Sequence, residues 1–221
     1  RQFVSAVSHE LRTPLTIVQG YVQRTIRRGD NLTEGQLKGL RTAEEESIRM
    51  RRLLNDLLDL SRSDFGHLDI RTEPVVLADQ IEQVADLARS TLERPLELML
   101  PEDPEQRSVL VQADPARLRQ VLLDLIENAD KYSPPGRPIR LELHATGGVG
   151  RIAVIDQGIG IPEEEQATVF ERFKRGSNAA EKTGSGLGLC VVKLLVEGMG
   201  GTIELHSCLD EGSCFTVTLP R

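Results

Sequence analysis

The sequence is poor in aromatic residues and carries no excess of positive charge. Aromatic residues make up 3% of its 221 residues, Trp is absent, and the formal net charge at pH 7 is −7. Few rings are therefore available to stack on unpaired bases, and no global field attracts a phosphate backbone. We expect no nucleic acid among its partners. A small phosphate ligand can still be bound by local geometry.

Long apolar runs are also missing. No stretch approaches the roughly 18 apolar residues that a membrane-spanning helix requires, and the N-terminus has no apolar signal-peptide core. We therefore expect this segment to be cytoplasmic and to make no direct membrane contact. Since the sequence opens at Arg1 rather than at a Met, we expect it to be a fragment of a longer protein. Any sensor domain or membrane anchor would precede this fragment.

Cysteine is sparse as well. Cys190, Cys208 and Cys214 form an odd set without C-x-x-C spacing, which excludes the usual zinc sites and a secreted disulfide framework. Two interpretations are open for the last two: they face each other across a hairpin, or all three are reduced thiols that serve as small apolar side chains. The second is the preferred one.

The first sixty residues have the period of two helices. Apolar residues recur every three or four positions from Arg1 to about Arg28, Gly29-Asp30-Asn31 breaks the pattern, and Thr33 with Gln36 predicts a capping box that starts a second helix ending near Ser61. A lone hairpin leaves its apolar stripe half exposed. We therefore expect a homodimer in which two hairpins form a four-helix bundle.

The remaining sequence has a different period. Short β-type runs alternate with helical stretches, which predicts a separate α/β domain and a boundary at about residues 62–68, with domains over 1–64 and 65–221. The expected strands are 96–100, 109–111, 139–143, 151–155, 202–205 and 214–219, and the expected helices are 77–92, 115–132 and 187–199.

One histidine on the first helix is placed for chemistry. At 100° per residue, His9 projects roughly 150° from the stripe that contains Val4 and Val22, so it is expected to face solvent. Thr13 lies one turn further on the same face, and Glu10 is adjacent. A neutral imidazole beside a carboxylate that accepts its proton is a nitrogen nucleophile near neutral pH. Taken alone, an exposed His is more often an ordinary surface residue.

The helix expected over 115–132 has polar residues on one flank. Asp114 is a fitting N-cap before Pro115, and Asp124, Asn128 and Lys131 fall within an arc of roughly 60°. Oxygen donors beside an ammonium group suit a Mg²⁺-phosphate ligand. The alternative is a solvated helix flank. No G-x-x-x-x-G-K-[ST] motif occurs, so any phosphate site is not a P-loop.

Two glycine-bearing loops complete the candidate ligand site. A strand over 151–155 runs into Asp156, whose carboxylate can accept from an exocyclic amine, and Gly158 and Gly160 let the backbone approach a planar ligand. Further along, the segment 184–189 opens the helix expected over 187–199, and four of its residues have free backbone N–H groups that favour phosphate. These are Gly184, Gly186, Leu187 and Gly188. Each loop alone is a weak signal.

The combination resembles a known family. The segment FVSAVSHELRTPL over 3–15 resembles the phospho-acceptor box of sensor histidine kinases, the signalling enzymes of two-component systems. The helix bearing Asn128, the D-x-G-x-G loop at 156–160, FERFKR at 170–175 and GSGLGL at 184–189 resemble, in order, the N, G1, F and G2 boxes of their ATP-binding domain. The resemblance covers almost the whole chain.

The resemblance implies both fold and activity. The fold is a helical hairpin that forms a dimeric four-helix bundle, followed by an α/β-sandwich ATP-binding domain of the gyrase and heat-shock-protein type. The activity is ATP-dependent phosphorylation of His9, with Glu10 as base, and transfer to an aspartate on a response-regulator receiver domain. Thr13 is implied to orient water when that regulator is dephosphorylated. The competing hypothesis is a dimeric interaction module that only hydrolyses or senses nucleotide.

The resemblance also assigns the nucleotide contacts. Asn128 is implied to hold Mg²⁺, Asp156 to read adenine, and residues 161–186 to form a lid over ATP; Lys131 and Arg175 are implied to contact phosphate, with Tyr132 near the base. Asp124 departs from the family, which commonly has Asn there. It either permits ATP hydrolysis or belongs to the Mg²⁺ shell, and the second interpretation is preferred.

Overall fold

A computed structural model describes residues 2–29, 32–64, 68–146, 149–179 and 184–221. The chain separates into two compact units, Arg1–Leu68 and Asp69–Arg221. Within the described ranges, no helix combines the length and the apolar character needed to cross a bilayer.

The first unit is a helical hairpin. Helix α1 spans Gln2–Arg28 and helix α2 spans Glu34–Ser63. The capping box expected at the start of α2 is confirmed: the Thr33 hydroxyl accepts from the Gln36 N–H at 3.3 Å, and the Thr33 N–H donates to Gln36 Oε1 at 2.9 Å. These two bonds satisfy donors that a helix start leaves unpaired, and so they fix where α2 begins.

The apolar stripe of the hairpin has two parts. One part is buried: it includes Leu15 of α1 and Leu54 and Leu58 of α2, and the two helices pack on each other. The other part is open in a single copy, since Leu11 and Val18 are 46% and 50% exposed. Tyr21, Met50 and Leu57 are exposed as well. Such an apolar face requires a covering surface.

Polar bonds between α1 and α2 set their register. Arg51 Nη1 donates to Gln19 Oε1 at 2.9 Å, and Gln23 Nε2 donates to Glu44 Oε1 at 2.8 Å. Gln19 is buried, so its amide would be costly without a partner. A shift of one helix along the other breaks both bonds.

The second unit contains seven strands and five helices within its described residues. In chain order they are β1 (Glu73–Val76), α3 (Leu77–Arg89), β2 (Leu96–Met99), α4 (Pro104–Arg107), β3 (Leu110–Ala113), α5 (Pro115–Tyr132), β4 (Ile139–Thr146), β5 (Val149–Ile155), α6 (Glu163–Gln166), α7 (Gly188–Gly198), β6 (Thr202–Cys208) and β7 (Gly212–Pro220). A short 3₁₀ helix covers Ser177–Ala179.

These elements form two layers. Five strands make a sheet in the order β2-β4-β5-β7-β6, in which β2 and β4 are parallel and the other pairs antiparallel. Strands β1 and β3 pair separately. The longer helices α3, α5 and α7 bury their apolar faces against the sheet. The α/β sandwich expected from the sequence is thus confirmed.

The core explains this architecture. Alternate residues of the central strands are fully buried, as are the apolar positions expected on α5. They include Ile139, Leu141, Ile152, Val217, Leu118, Leu122 and Leu125. Complete burial of each such side chain contributes roughly 1.5–3 kcal/mol to stability. The alternation on the strands and the three- to four-residue spacing on α5 place these side chains in one layer.

Several local expectations need correction. The sequence predicts no strand over β1, because β1 is four residues long and contains Pro74, and so has no recognisable period. Helix α3 ends at Arg89 rather than at residue 92. Of the two interpretations of the cysteines, the one in which Cys208 faces Cys214 is wrong, because Cys208 pairs with Gly212 and Cys214 with His206. All three cysteines are free thiols, as the preferred interpretation has them.

Candidate functional site

The acceptor segment lies within α1. The backbone is helical through residues 9, 10 and 13, and Pro14 lies inside the same helix. The side chains of His9, Glu10 and Thr13 are outside the described part of the structure, so their exposure stays a prediction.

Helix α5 presents the polar flank expected from its sequence. The Asp114 carboxylate accepts from the N–H groups of Ala116 at 3.0 Å and Arg117 at 3.1 Å, which confirms it as N-cap. With the apolar side anchored in the core, Asp124 and Asn128 lie half-buried on neighbouring turns. Lys131 and Tyr132 form the last turn.

Asp156 lies at the end of β5 and is almost fully buried, at 8% exposure. Its Oδ1 accepts from the Gly158 N–H at 2.7 Å and from the Ser213 N–H at 3.2 Å. Burial raises the pKa of Asp156, while these two N–H groups and the positive charge of Arg94 oppose that rise. Both of these donors use Oδ1, and neither uses Oδ2.

The loop after Asp156 requires glycine. Gly160 has a φ of +65°, and a Cβ there would run into the backbone carbonyl of Cys208 on β6. A Cβ on Gly158 would lie 2.8 Å from the Tyr132 carbonyl and 2.7 Å from Asp156 Oδ1. The loop is therefore pressed between the end of α5 and the β6–β7 hairpin, which fixes the carboxylate of Asp156.

Cationic side chains meet at Gly184, four residues before α7. A Cβ on Gly184 would lie 2.8 Å from Lys131 Nζ, 3.9 Å from Tyr132 Oη and 4.0 Å from Arg175 Nε. The Lys131 ammonium also lies 4.7 Å from the centroid of the Tyr132 ring. The structure thus brings together four residues that the sequence places in three separate motifs. An ammonium and a guanidinium beside a backbone that carries no side chain make a recess suited to phosphate.

The helix that follows begins one residue later than expected. Leu187 is its N-cap and is 2% exposed, so α7 starts at Gly188. Gly186 has a φ of +71°, and a Cβ there would lie 2.7 Å from the carbonyl carbon of Phe173. A Cβ on Gly188 meets nothing within 4 Å. One glycine is therefore required by the fold, whereas the other leaves open space at the helix N-terminus.

The segment over 161–186 is held by contacts with the sheet and with the loop after Asp156. Phe170 packs edge-to-face on Phe215 of β7, with ring centroids 6.3 Å apart. Asn178 Nδ2 donates to the Gly160 carbonyl at 2.9 Å. The Ser177 N–H donates to the Glu165 carboxylate at 2.9 Å, which lowers the pKa of Glu165. Residues 180–183 of this segment are outside the described ranges.

The residues expected to hold a metal offer a suitable donor set. Asp124 supplies a carboxylate and Asn128 an amide oxygen, and Mg²⁺ is usually bound by one or two carboxylates together with phosphate oxygens and water. Among the described residues, no cluster of three or more His, Cys, Asp or Glu side chains is able to hold a metal without such a ligand. The donor chemistry fits a metal that arrives with phosphate.

Sequence reasoning missed the residues that support Asp156. Ser213 donates to its carboxylate from β7, and Arg94 lies in the loop before β2. Neither belongs to a motif, and both are distant from Asp156 in sequence. Ser213 could have been found only from the pairing of β5 with β7, which places it near the end of β5.

Residues 1–66 match the model of the His Kinase A (phospho-acceptor) domain. Residues 113–221 match that of the histidine kinase-, DNA gyrase B- and HSP90-like ATPase.

Curated relatives and solved structures agree with these matches. The chain is 36% identical to the circadian input-output histidine kinase CikA of Synechococcus elongatus, over all of this chain and 30% of that protein. It is 33% identical to the sensor protein KdpD of Escherichia coli K12, over 99% of this chain and 24% of that protein. The crystal structure of full-length ShkA in complex with AMPPNP superimposes with a TM-score of 0.77 at 28% identity, covering 99% of this chain and 45% of that one. The chain thus spans a third or less of the length of these two curated relatives.

Proposed function

Because the chain belongs to the sensor histidine kinase family, whose phospho-acceptor and ATPase domains it carries in order, we propose that it is an ATP-dependent protein-histidine kinase. Residues 1–64 form the dimerisation and phospho-acceptor hairpin, and residues 65–221 form the catalytic ATP-binding domain. The cytoplasm is the expected compartment.

The observation that supports this proposal is the arrangement at the end of α5. Tyr132 links two sites of opposite character: its carbonyl accepts from the Ile159 N–H of the Asp156 loop at 3.2 Å, and its hydroxyl lies beside Gly184 among the cations. A buried carboxylate suits the exocyclic amine of adenine, and the cationic recess suits a phosphate chain. A nucleotide has both groups in one molecule, and AMPPNP, bound in the ShkA structure, is an analogue of ATP.

The nucleotide contacts follow from this arrangement. Asp156 reads adenine through Oδ2, Tyr132 packs near the base, and Lys131 and Arg175 hold phosphate. The backbone at Gly184, Gly186 and Gly188 approaches the phosphates. Asn128 and Asp124 hold Mg²⁺, which when bound neutralises phosphate charge.

The chemical step is transfer of the γ-phosphoryl group to His9. The imidazole nitrogen forms a bond to the γ-phosphorus, the bond from that phosphorus to the bridging oxygen breaks, and ADP leaves. Glu10 accepts the imidazole proton. The phosphoryl group then passes to an aspartate of a response-regulator receiver domain. Thr13, one helical turn from His9, orients the water that removes phosphate from that regulator.

The test is the fate of the γ-phosphate of radiolabelled Mg²⁺-ATP incubated with the chain. A kinase incorporates label into the protein in a bond that acid hydrolyses and base does not, as expected for phosphohistidine. Release of inorganic phosphate without protein label would instead support the hypothesis of a nucleotide-hydrolysing interaction module, with Asp124 as the residue that activates water.

A further inference from the structure

Arg94 is nearly buried and uses its whole guanidinium at the end of α5. Its side chain is 8% exposed, and Nε pairs with Asp130 Oδ1 at 2.5 Å. The remaining donors bond backbone carbonyls, those of Asp130 at 2.9 Å, Pro134 at 3.0 Å, Arg137 at 3.3 Å and Ser133 at 3.5 Å. One side chain thereby holds residues 130–137 in place.

Such a clamp has a physical reason at this location. The last carbonyls of a helix have no intrahelical partner and lie at the negative end of the helix dipole. The planar guanidinium of Arg94 bonds the carbonyl of Asp130 in the last turn together with that of the C-cap Ser133 and two in the following loop, which the single ammonium of a lysine cannot do. The guanidinium of Arg94 therefore fixes both the end of α5 and the loop that leads into β4.

Backbone contacts connect the clamped segment to Asp156. The Tyr132 carbonyl lies within that segment and accepts from the Ile159 N–H at 3.2 Å. Gly158 lies against the same carbonyl, and its N–H donates to Asp156 Oδ1 at 2.7 Å. In addition, the charge of Arg94 favours the ionised form of Asp156. A displaced α5 terminus therefore displaces the Asp156 carboxylate.

We propose that Arg94 is a positioning residue for recognition of the adenine base: it holds the end of α5 against the Asp156 loop and so sets affinity for adenine nucleotides without touching them. The inference rests on the proposed nucleotide-binding function and adds a residue outside every motif of the chain.

The experiment compares binding of Mg²⁺-ATP and Mg²⁺-GTP, by calorimetry, to the full chain and to Arg94→Met and Arg94→Lys. In Arg94→Met, ATP affinity is expected to fall about 3- to 30-fold. GTP affinity depends on the clamped segment through Lys131 and Tyr132 but not through Asp156, and should fall by a smaller factor, so the ATP/GTP preference shrinks. Arg94→Lys retains the positive charge but not the planar set of guanidinium N–H donors. It is expected to keep part of the preference for ATP over GTP.

Arg89→Met is the matched control. Its guanidinium also bonds a backbone carbonyl, that of Leu96 at 3.3 Å, and pairs with Asp86 at 3.0 Å, but it lies on α3 and its side chain is 44% exposed. This variant should keep the ATP/GTP preference of the unmodified chain.

A merely structural role of Arg94 gives a different result. Loss of folded protein lowers ATP and GTP binding by the same factor and leaves their ratio unchanged, which would overturn the inference; unfolding is followed in parallel by circular dichroism. Should Arg94→Met not fold, the ratio in Arg94→Lys decides. If the unmodified chain binds neither nucleotide, the proposed function and this inference both fail. If it binds ATP and the Arg94 variants keep its preference, only this inference fails.

Discussion

Ligand binding and folding stability favour opposite ionisation states of the Asp156 carboxyl group. The ionised carboxylate is the stronger acceptor for an amine, yet this group is buried, and burial raises its pKa. A carboxyl group whose pKa is higher in the folded than in the unfolded chain opposes folding once it is ionised. This opposing contribution is absent below the unfolded-state pKa and is complete above the folded-state pKa.

Asp156→Asn should therefore stabilise the nucleotide-free chain while weakening ATP binding. The amide oxygen still accepts from the Gly158 and Ser213 N–H groups, and the buried charge is gone. At pH 7.5 we expect Tm to rise by about 1–4 °C, with a smaller gap to the unmodified chain as pH falls toward 4. ATP affinity should fall about 10- to 100-fold. Calorimetry measures both; a lower Tm for the variant at every pH would contradict this account of Asp156.

At the scale of the element, the segment over 161–186 and the start of α7 contain two glycines, Gly186 and Gly188, with different structural roles. Gly186 contacts the backbone of Phe173 and Lys174, whose N–H and carbonyl groups cannot move aside as a flexible side chain can. The Phe173 N–H also donates to the Gly186 carbonyl at 2.9 Å. Gly188 has no such neighbour.

Alanine substitutions should distinguish the role of Gly186 in the fold from that of Gly188 in nucleotide binding. Gly186→Ala is strained by its φ of +71° and by the Phe173 backbone, and is expected to lower Tm by about 4–10 °C. Gly188→Ala should keep Tm within about 2 °C, because helix position and space both accept a methyl group. It should nevertheless weaken ATP binding, since that methyl group lies where phosphate approaches. Equal Tm losses in the two variants would show that the difference in crowding has no consequence.

The elements also show what sequence can predict. The bounds of α5 are local properties, since Asp114, Pro115 and the leucine spacing all lie within the helix, and its predicted range is confirmed. The α/β character of the second unit is equally readable. Strand β1 and the support of Asp156 by Ser213 depend on contacts between distant segments, which no local pattern contains. The register that separates Cys208 from Cys214 is set by the turn between β6 and β7, whose sequence does not specify it by period alone.

At the scale of the whole molecule, the hairpin is incomplete as a single copy. Leu11, Val18 and Tyr21 lie on one exposed side of α1, and Met50 and Leu57 lie exposed on α2. We propose that a second copy covers this apolar face in a dimeric four-helix bundle, as the family resemblance implies.

Val18→Glu should therefore convert the dimer into a monomer at micromolar concentration, because it places a charge within the covered face. The matched control is Leu87→Glu, since Leu87 is 49% exposed on α3 of the other unit. Sedimentation velocity measures the mass of each. A monomeric unmodified chain, or a dimeric Val18→Glu variant, would contradict the proposed bundle.

The central claim is that His9 receives the γ-phosphoryl group of ATP bound in the α/β unit. The most direct measurement is incorporation of acid-labile label from radiolabelled Mg²⁺-ATP into His9→Gln, with ATP affinity determined on the same sample. The account predicts no label and unchanged ATP affinity, because acceptor and nucleotide site belong to different units. Label persisting on His9→Gln at the level of the unmodified chain would contradict it.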